Sequence, residues 1–142
     1  MSEQDNVGVV RAQFEAANAG DQNLWLQART DDNLAEAPGS PAPMSPAQNW
    51  GYLEGFRTAF PDLHFDVTLT VAQADYVVAH WTASGTHSGP LPTPTGDTIP
   101  ATGKNVVVYG STTYELRGSK IYREYVFWDM TSLLGQLGLM PS

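Results

Sequence analysis

Leu63-His64-Phe65-Asp66-Val67-Thr68-Leu69-Thr70-Val71-Ala72 is the stretch that decides how this chain is to be read. Leu63, Phe65, Val67, Leu69 and Val71 alternate with His64, Asp66, Thr68, Thr70 and Ala72, the period of two expected of a strand with one buried face. Downstream, Tyr76 to Thr86, Lys104 to Leu116 and Lys120 to Trp128 are rich in β-branched and aromatic residues and read as three further strands. Gly118-Ser119 supplies a hairpin turn between the last two, and a Pro/Thr/Gly-rich loop from Gly89 to Gly103 separates the first two.

Upstream the spacing is helical. Val7, Val10, Phe14 and Ala17 lie on one face of a helix that Gly20 ends, and Leu24, Trp25 and Leu26 sit on a second, short one. Periodicity is lost from Asp31 to Ser45, where Pro38-Gly39-Ser40-Pro41-Ala42-Pro43 predicts a loop. Ser45 then reads as an N-cap, with Pro46 at the first helical position and Gln48 completing a capping box. Trp50, Leu53, Phe56 and Phe60 form the apolar stripe of that helix, and Pro61 stops it. Leu133, Leu134 and Leu137 mark a final helix, with Asp129 as its N-cap and Gly138 as its end. Helices first and an antiparallel meander second give an α+β fold without βαβ alternation.

The 142 residues suit one domain over 1–142, with 1–6 and 140–142 as loose termini, and 42% hydrophobic content fills one core. Seven Lys and Arg against 15 Asp and Glu give a net charge of −8, with no basic run to neutralise phosphates or anionic lipid. Neither nucleic acid nor a membrane surface is expected as a partner. The start Met-Ser-Glu-Gln-Asp-Asn lacks the basic and apolar regions of a signal peptide, so a cytoplasmic protein is expected. The absence of cysteine removes disulfides and thiolate chemistry, and three histidines on mixed faces offer no metal-ligand spacing.

Five stretches, in register from about residue 7 to 139, carry a resemblance. They are Ala59-Phe60-Pro61-Asp62-Leu63; Trp81 to Gly89 with its Gly85-Thr86-His87-Ser88-Gly89; Pro100-Ala101-Thr102-Gly103-Lys104; Gly118-Ser119-Lys120-Ile121; and Trp128-Asp129 through Gln136-Leu137-Gly138. In that order and spacing the chain resembles the SnoaL-like polyketide cyclases (ester cyclases) of the nuclear-transport-factor-2-like superfamily. The resemblance implies a cone-shaped α+β barrel, a strongly bent antiparallel sheet wrapped around N-terminal helices with a central pocket for a small hydrophobic ligand. It also implies a homodimer through the sheet and aldol-type ring closure with no metal and no organic cofactor. Relatives of this shape include epoxide hydrolases, isomerases and hydroxylases, so fold alone does not choose the reaction.

The family's catalytic aspartate falls at Val126 and its companion histidine near Thr112. A valine cannot move a proton. If Val126 faces the pocket, strand parity puts Tyr122, Glu124 and Trp128 beside it, with Thr112, Tyr114 and Val108 on the adjacent strand. The family's charged residue falls at His80, which favours His80 and Thr82 over Trp81 and Ala83 as the inward pair. Glu124 and His80 are therefore the expected acid/base pair, because an apolar pocket tunes a carboxyl towards neutral pH. The alternatives are a rim carboxylate paired with Arg123 or Lys120 of a neighbouring protomer and a hydrogen-bonded sheet histidine. Trp50, Thr112, Tyr114, Val126 and Trp128 are expected to touch ligand, and His87, between glycines, either to reach the pocket mouth or to anchor its loop. His64 is expected at the surface.

Overall fold

A computed structural model describes residues 2–93 and 96–139. The expected looseness of residues 140–142 lies outside that range. Residues 3–6 are not loose: Ser2 and Asp5 form a capping box at the start of helix α1, Glu3–Ala19. α2 spans Gln22–Gln27, α3 Pro46–Ala59 and α4 Met130–Gln136. The local signals were sufficient here, since Gly20 closes α1 in the left-handed region, Ser45 and Gln48 cap α3 reciprocally, and Asp129 caps α4.

The strands are β1 Arg29–Glu36, β2 His64–Gln73, β3 Tyr76–Thr86, β4 Leu91–Pro92, β5 Thr98–Ile99, β6 Asn105–Arg117 and β7 Lys120–Trp128. Strands β2, β3, β6 and β7 form the expected antiparallel meander, and β6 and β7 turn through Gly118 and Ser119, both at positive φ. The sheet is strongly bent and unclosed, in the order β1-β7-β6-β3-β2. β4 and β5 form a separate small hairpin inside the 89–103 loop.

Two departures from the sequence reading matter. Residues 29–36, partly assigned to a loop, form β1, which runs parallel to β7 and buries Arg29, Asn33 and Ala35. A strand whose buried positions are mostly polar shows no hydrophobic period. In β2 the alternation is broken by a bulge: Val67 pairs with Trp81 but Leu69 pairs with His80, leaving Thr68 unpaired. One extra residue flips the faces, so Phe65 and Val67 pack on the core while Leu69 and Val71 point outward, half exposed.

The core lies in the concave side of the sheet. Val10 and Phe14 of α1 pack on Val77, Ala79, Trp81, Tyr114 and Ile121. Phe60, Leu91, Val108 and Leu133 form a second cluster towards α4.

Candidate functional site

Between α1, α3 and the concave face lies a largely apolar cavity of about 130 Å³. For scale, an engineered apolar cavity of about 150 Å³ holds one benzene ring, so one ring fills the enclosed part of this cavity and a fused second ring extends into its open side. Its helical wall comes from α3, where Asn49, Tyr52, Leu53 and Phe56 follow at i, i+3, i+4 and i+7. The sheet wall carries Trp81, Thr112, Tyr114, Glu124, Val126 and Trp128.

The polar groups are concentrated at one end. Glu124 Oε1 accepts from Arg29 Nη1 at 2.6 Å, Arg29 Nη2 donates to Gln13 Oε1 at 2.7 Å, and Gln13 Nε2 donates to the Tyr114 hydroxyl at 2.9 Å. Tyr114 stands directly across from Glu124 in the β6–β7 register. Burial and then the neighbouring Glu124 charge push the Tyr114 phenol well above its usual range, so it is a neutral hydroxyl. Glu124 Oε2 has no hydrogen-bond partner among the described residues. Arg29 also lies over the Trp25 ring, 3.6 Å from its centroid, and Trp25 packs against Trp50 with centroids 5.2 Å apart and ring planes tilted by 59°.

At the other end Tyr52 donates to the Pro38 carbonyl at 2.8 Å and accepts from Trp128 Nε1 at 3.2 Å. Burial, only partly opposed by the Trp128 bond, pushes its phenol up to about 12. Between the ends, the Trp81 indole lies across β6 at Gly110, its register partner, and its Nε1 donates to Thr112 Oγ1 at 2.9 Å. A Cβ at Gly110 would fall inside that indole.

Glu124, Thr112, Tyr114, Val126 and Trp128 line the cavity, as the strand parity of β6 and β7 required. His80 does not. On β3 the inward residues are Val77, Ala79, Trp81 and Ala83, and His80 is exposed on the convex face beside Leu69 and Ser111. The expected Glu124–His80 pair is thus split by the sheet. Tyr122 leaves the inward face as well, because it is the bulged residue between Ile121 and Arg123, and its ring carries Arg117 and Arg123 instead.

Trp50 is buried behind Trp25 and does not line the cavity. The turn of α3 that contains it presents Asn49 instead. His87 is fully buried, but outside the cavity, against Phe60 at 5.2 Å. Its Nδ1 accepts from the Thr102 N–H at 3.2 Å, and its backbone bonds Gly103 and Lys104, so it anchors the 100–104 loop. His64 is exposed, 3.3 Å from Asp66. The polar residues not foreseen include Arg29, Gln13, Asn49 and Tyr52. Only Asn49 and Tyr52 left a trace, at helical spacing from Leu53 and Phe56.

Among the described residues no three His, Asp or Glu side chains gather as a metal site would require, and no helix is long and apolar enough to cross a membrane. The family model for SnoaL-like polyketide cyclase matches residues 8–137. Among solved structures, AclR, a candidate hydroxylase from Streptomyces galilaeus, is 23% identical with a TM-score of 0.85 over 99% of this chain and 85% of its own. IdmH, a candidate polyketide cyclase from Streptomyces antibioticus, is 24% identical with a TM-score of 0.82 over 94% and 98%. A candidate SnoaL-like polyketide cyclase from Jannaschia sp. CCS1 is 21% identical with a TM-score of 0.83 over 98% and 95%. At these identities the structures establish the cone-shaped fold alone. A comparison with curated proteins gives no match.

Proposed function

The chain belongs to the SnoaL-like polyketide cyclase family, and from that premise we propose that it binds a mid-sized hydrophobic, polyketide- or polycyclic-like ketone and moves a proton on it without a cofactor, with Glu124 as the base. The observation that carries this reading is a buried carboxylate whose Oε1 is fixed by Arg29 while Oε2 is left without a partner in an apolar cavity. In the proposed step the C–H bond next to the carbonyl breaks, its proton goes to Glu124 Oε2, and its electron pair moves onto the carbonyl oxygen as an enolate. Arg29 and Gln13 act as positioning residues, tying the carboxylate to Tyr114.

The test is hydrogen–deuterium exchange at the carbon next to the carbonyl of 1-tetralone in D2O, followed by proton NMR. The wild type should accelerate exchange, and Glu124→Gln should abolish it while tetralone still binds.

A second reading is a binding protein without turnover. It is favoured by Val126 and Thr112, which face each other in register on the cavity wall at the positions where the resemblance sets the family's acid/base pair. Tight tetralone binding with no exchange, and no product from polyketide substrates, would select it.

We further propose a homodimer through the convex face. Tyr109 and Phe127 are 72% and 63% exposed there, and Phe127, Ser111, His80 and Leu69 form one row across four strands. A row that holds no Asp, Glu, Lys or Arg and is bounded by exposed Phe127 and Leu69 suits a second copy of itself.

A further inference from the structure

The Asn49 side chain is 5% exposed on the cavity wall, and its Nδ2 is enclosed with no hydrogen-bond partner. No bond to its Oδ1 is formed among the described residues either. The NH2 end of this amide gives up its bonds to water for nothing, unless something that enters the cavity meets it, whereas Oδ1 is not enclosed in the same way. No role in the fold accounts for it. α3 is capped by Ser45 and Gln48 through their own side chains, and the Asn49 backbone N–H already donates to the Ser45 carbonyl at 2.8 Å.

Its position relates it to Glu124. Ala35 pairs with Glu124 in the β1–β7 register and is bridged to Met44, which immediately precedes the Ser45 cap of α3. The first turn of α3, which bears Asn49, therefore starts from the strand position beside the carboxylate, while Phe56, Trp128 and Leu133 wall the far end of the cavity. The amide offers N–H donors, and the carboxylate offers an accepting oxygen.

We propose that Asn49 is the residue that recognises the ligand's oxygen. Its amide donates to a carbonyl oxygen, so that the acidic C–H beside that carbonyl is turned towards Glu124. The assignment rests on the ketone reading above and adds to it the group that selects a ketone over a plain hydrocarbon. As the electron pair moves to oxygen in the proton transfer, the same N–H meets a growing negative charge, and its bond strengthens. Asn49 is thus a binding residue in the ground state and a stabilising one in the enolate.

The experiment compares 1-tetralone with tetralin, which has the same fused rings without the oxygen, by quenching of tryptophan fluorescence. Wild type should bind tetralone about five- to tenfold more tightly than tetralin, the range for a bond to a donor already stripped of water. In Asn49→Leu that preference should fall to about one, with tetralin binding unchanged or improved. Asn49→Asp, which keeps the shape and replaces the donor with an acceptor, should favour 1-naphthol over tetralone; it also serves if the leucine variant does not fold. Glu124→Gln should retain the tetralone preference while losing exchange. A preference that persists in both Asn49 variants overturns the assignment and leaves the ketone reading standing. Failure of wild type to bind either ring system overturns both.

Discussion

Arg29 Nη1 lies 2.6 Å from Glu124 Oε1, and the two side chains are 1% and 8% exposed. An ion pair this deep costs much to desolvate, so its contribution appears mainly when one partner is removed. Glu124→Leu should destabilise the protein by about 3–5 kcal/mol in urea unfolding, because the guanidinium then stays buried and unpaired. Arg29→Met combined with Glu124→Leu should recover most of that loss. A double variant as unstable as the sum of the singles would show that the two charges do not support each other.

His87 gives the stability a pH dependence of its own. Burial holds its imidazole below the usual value of 6.5, and a proton on Nδ1 would also displace the Thr102 N–H. The unfolded chain thus takes up a proton that the folded chain refuses. Stability is full above about pH 6.5 and falls as the pH drops from there to the folded value. Asp62, held below 3.8 by the Thr86 N–H and hydroxyl, loses its contribution only at lower pH still. Thermal melts of His87→Gln should be flat through the first interval and keep the second. A wild-type melt that does not change between pH 7 and 5 would contradict this.

Gly110 is where the cavity floor depends on a missing side chain. Gly110→Ala should force the Trp81 indole off β6, break its bond to Thr112 and cost about 1–3 kcal/mol. A red-shifted tryptophan emission would report the displacement. Adding Trp81→Phe should relieve much of the cost, since the smaller ring clears the new methyl.

Val126→Asp would return a carboxyl to the position where the resemblance expects one, two residues from Glu124 on the same wall. A second buried acid resists ionisation, so its penalty should be small near pH 4 and grow as the pH rises towards 7. Melting the variant and the wild type in parallel across that range measures it. A constant difference would mean that the new carboxyl is solvated.

Tyr109→Lys with Phe127→Arg should convert a dimer to a monomer in sedimentation experiments and leave the tetralone affinity within about twofold. A wild type that sediments as a monomer at high concentration would dismiss the convex-face interface.

How far the sequence foretold this molecule follows the range of each interaction. Ser45 with Gln48, Gly20 and Asp129 act within one turn of their own helix, and each was legible from its neighbours. Leu69 and Val71 were placed inside by a flawless alternation, yet their side is set by how β3 pairs with them around Thr68. His80 went to the wrong face for a related reason. An alternating strand has two faces, and the resemblance chose the one that the buried Trp81 contradicts. Arg29 and Gln13 could not be found at all, because a buried arginine is meaningful only beside its carboxylate, 95 residues away in the chain.

The bulge at Thr68 has a further effect at the sheet margin. β2 is an outermost strand, and an unbroken, flat strand there would be a template on which other chains could add. An unpaired residue at its middle spoils that ladder, and at the opposite margin β1 is irregular between Arg29 and Leu34 and bridges Ala35 to Met44. With both margins blunted, and Leu69 and Val71 turned outward by the same insertion, runaway edge-to-edge growth of copies of this protein is disfavoured.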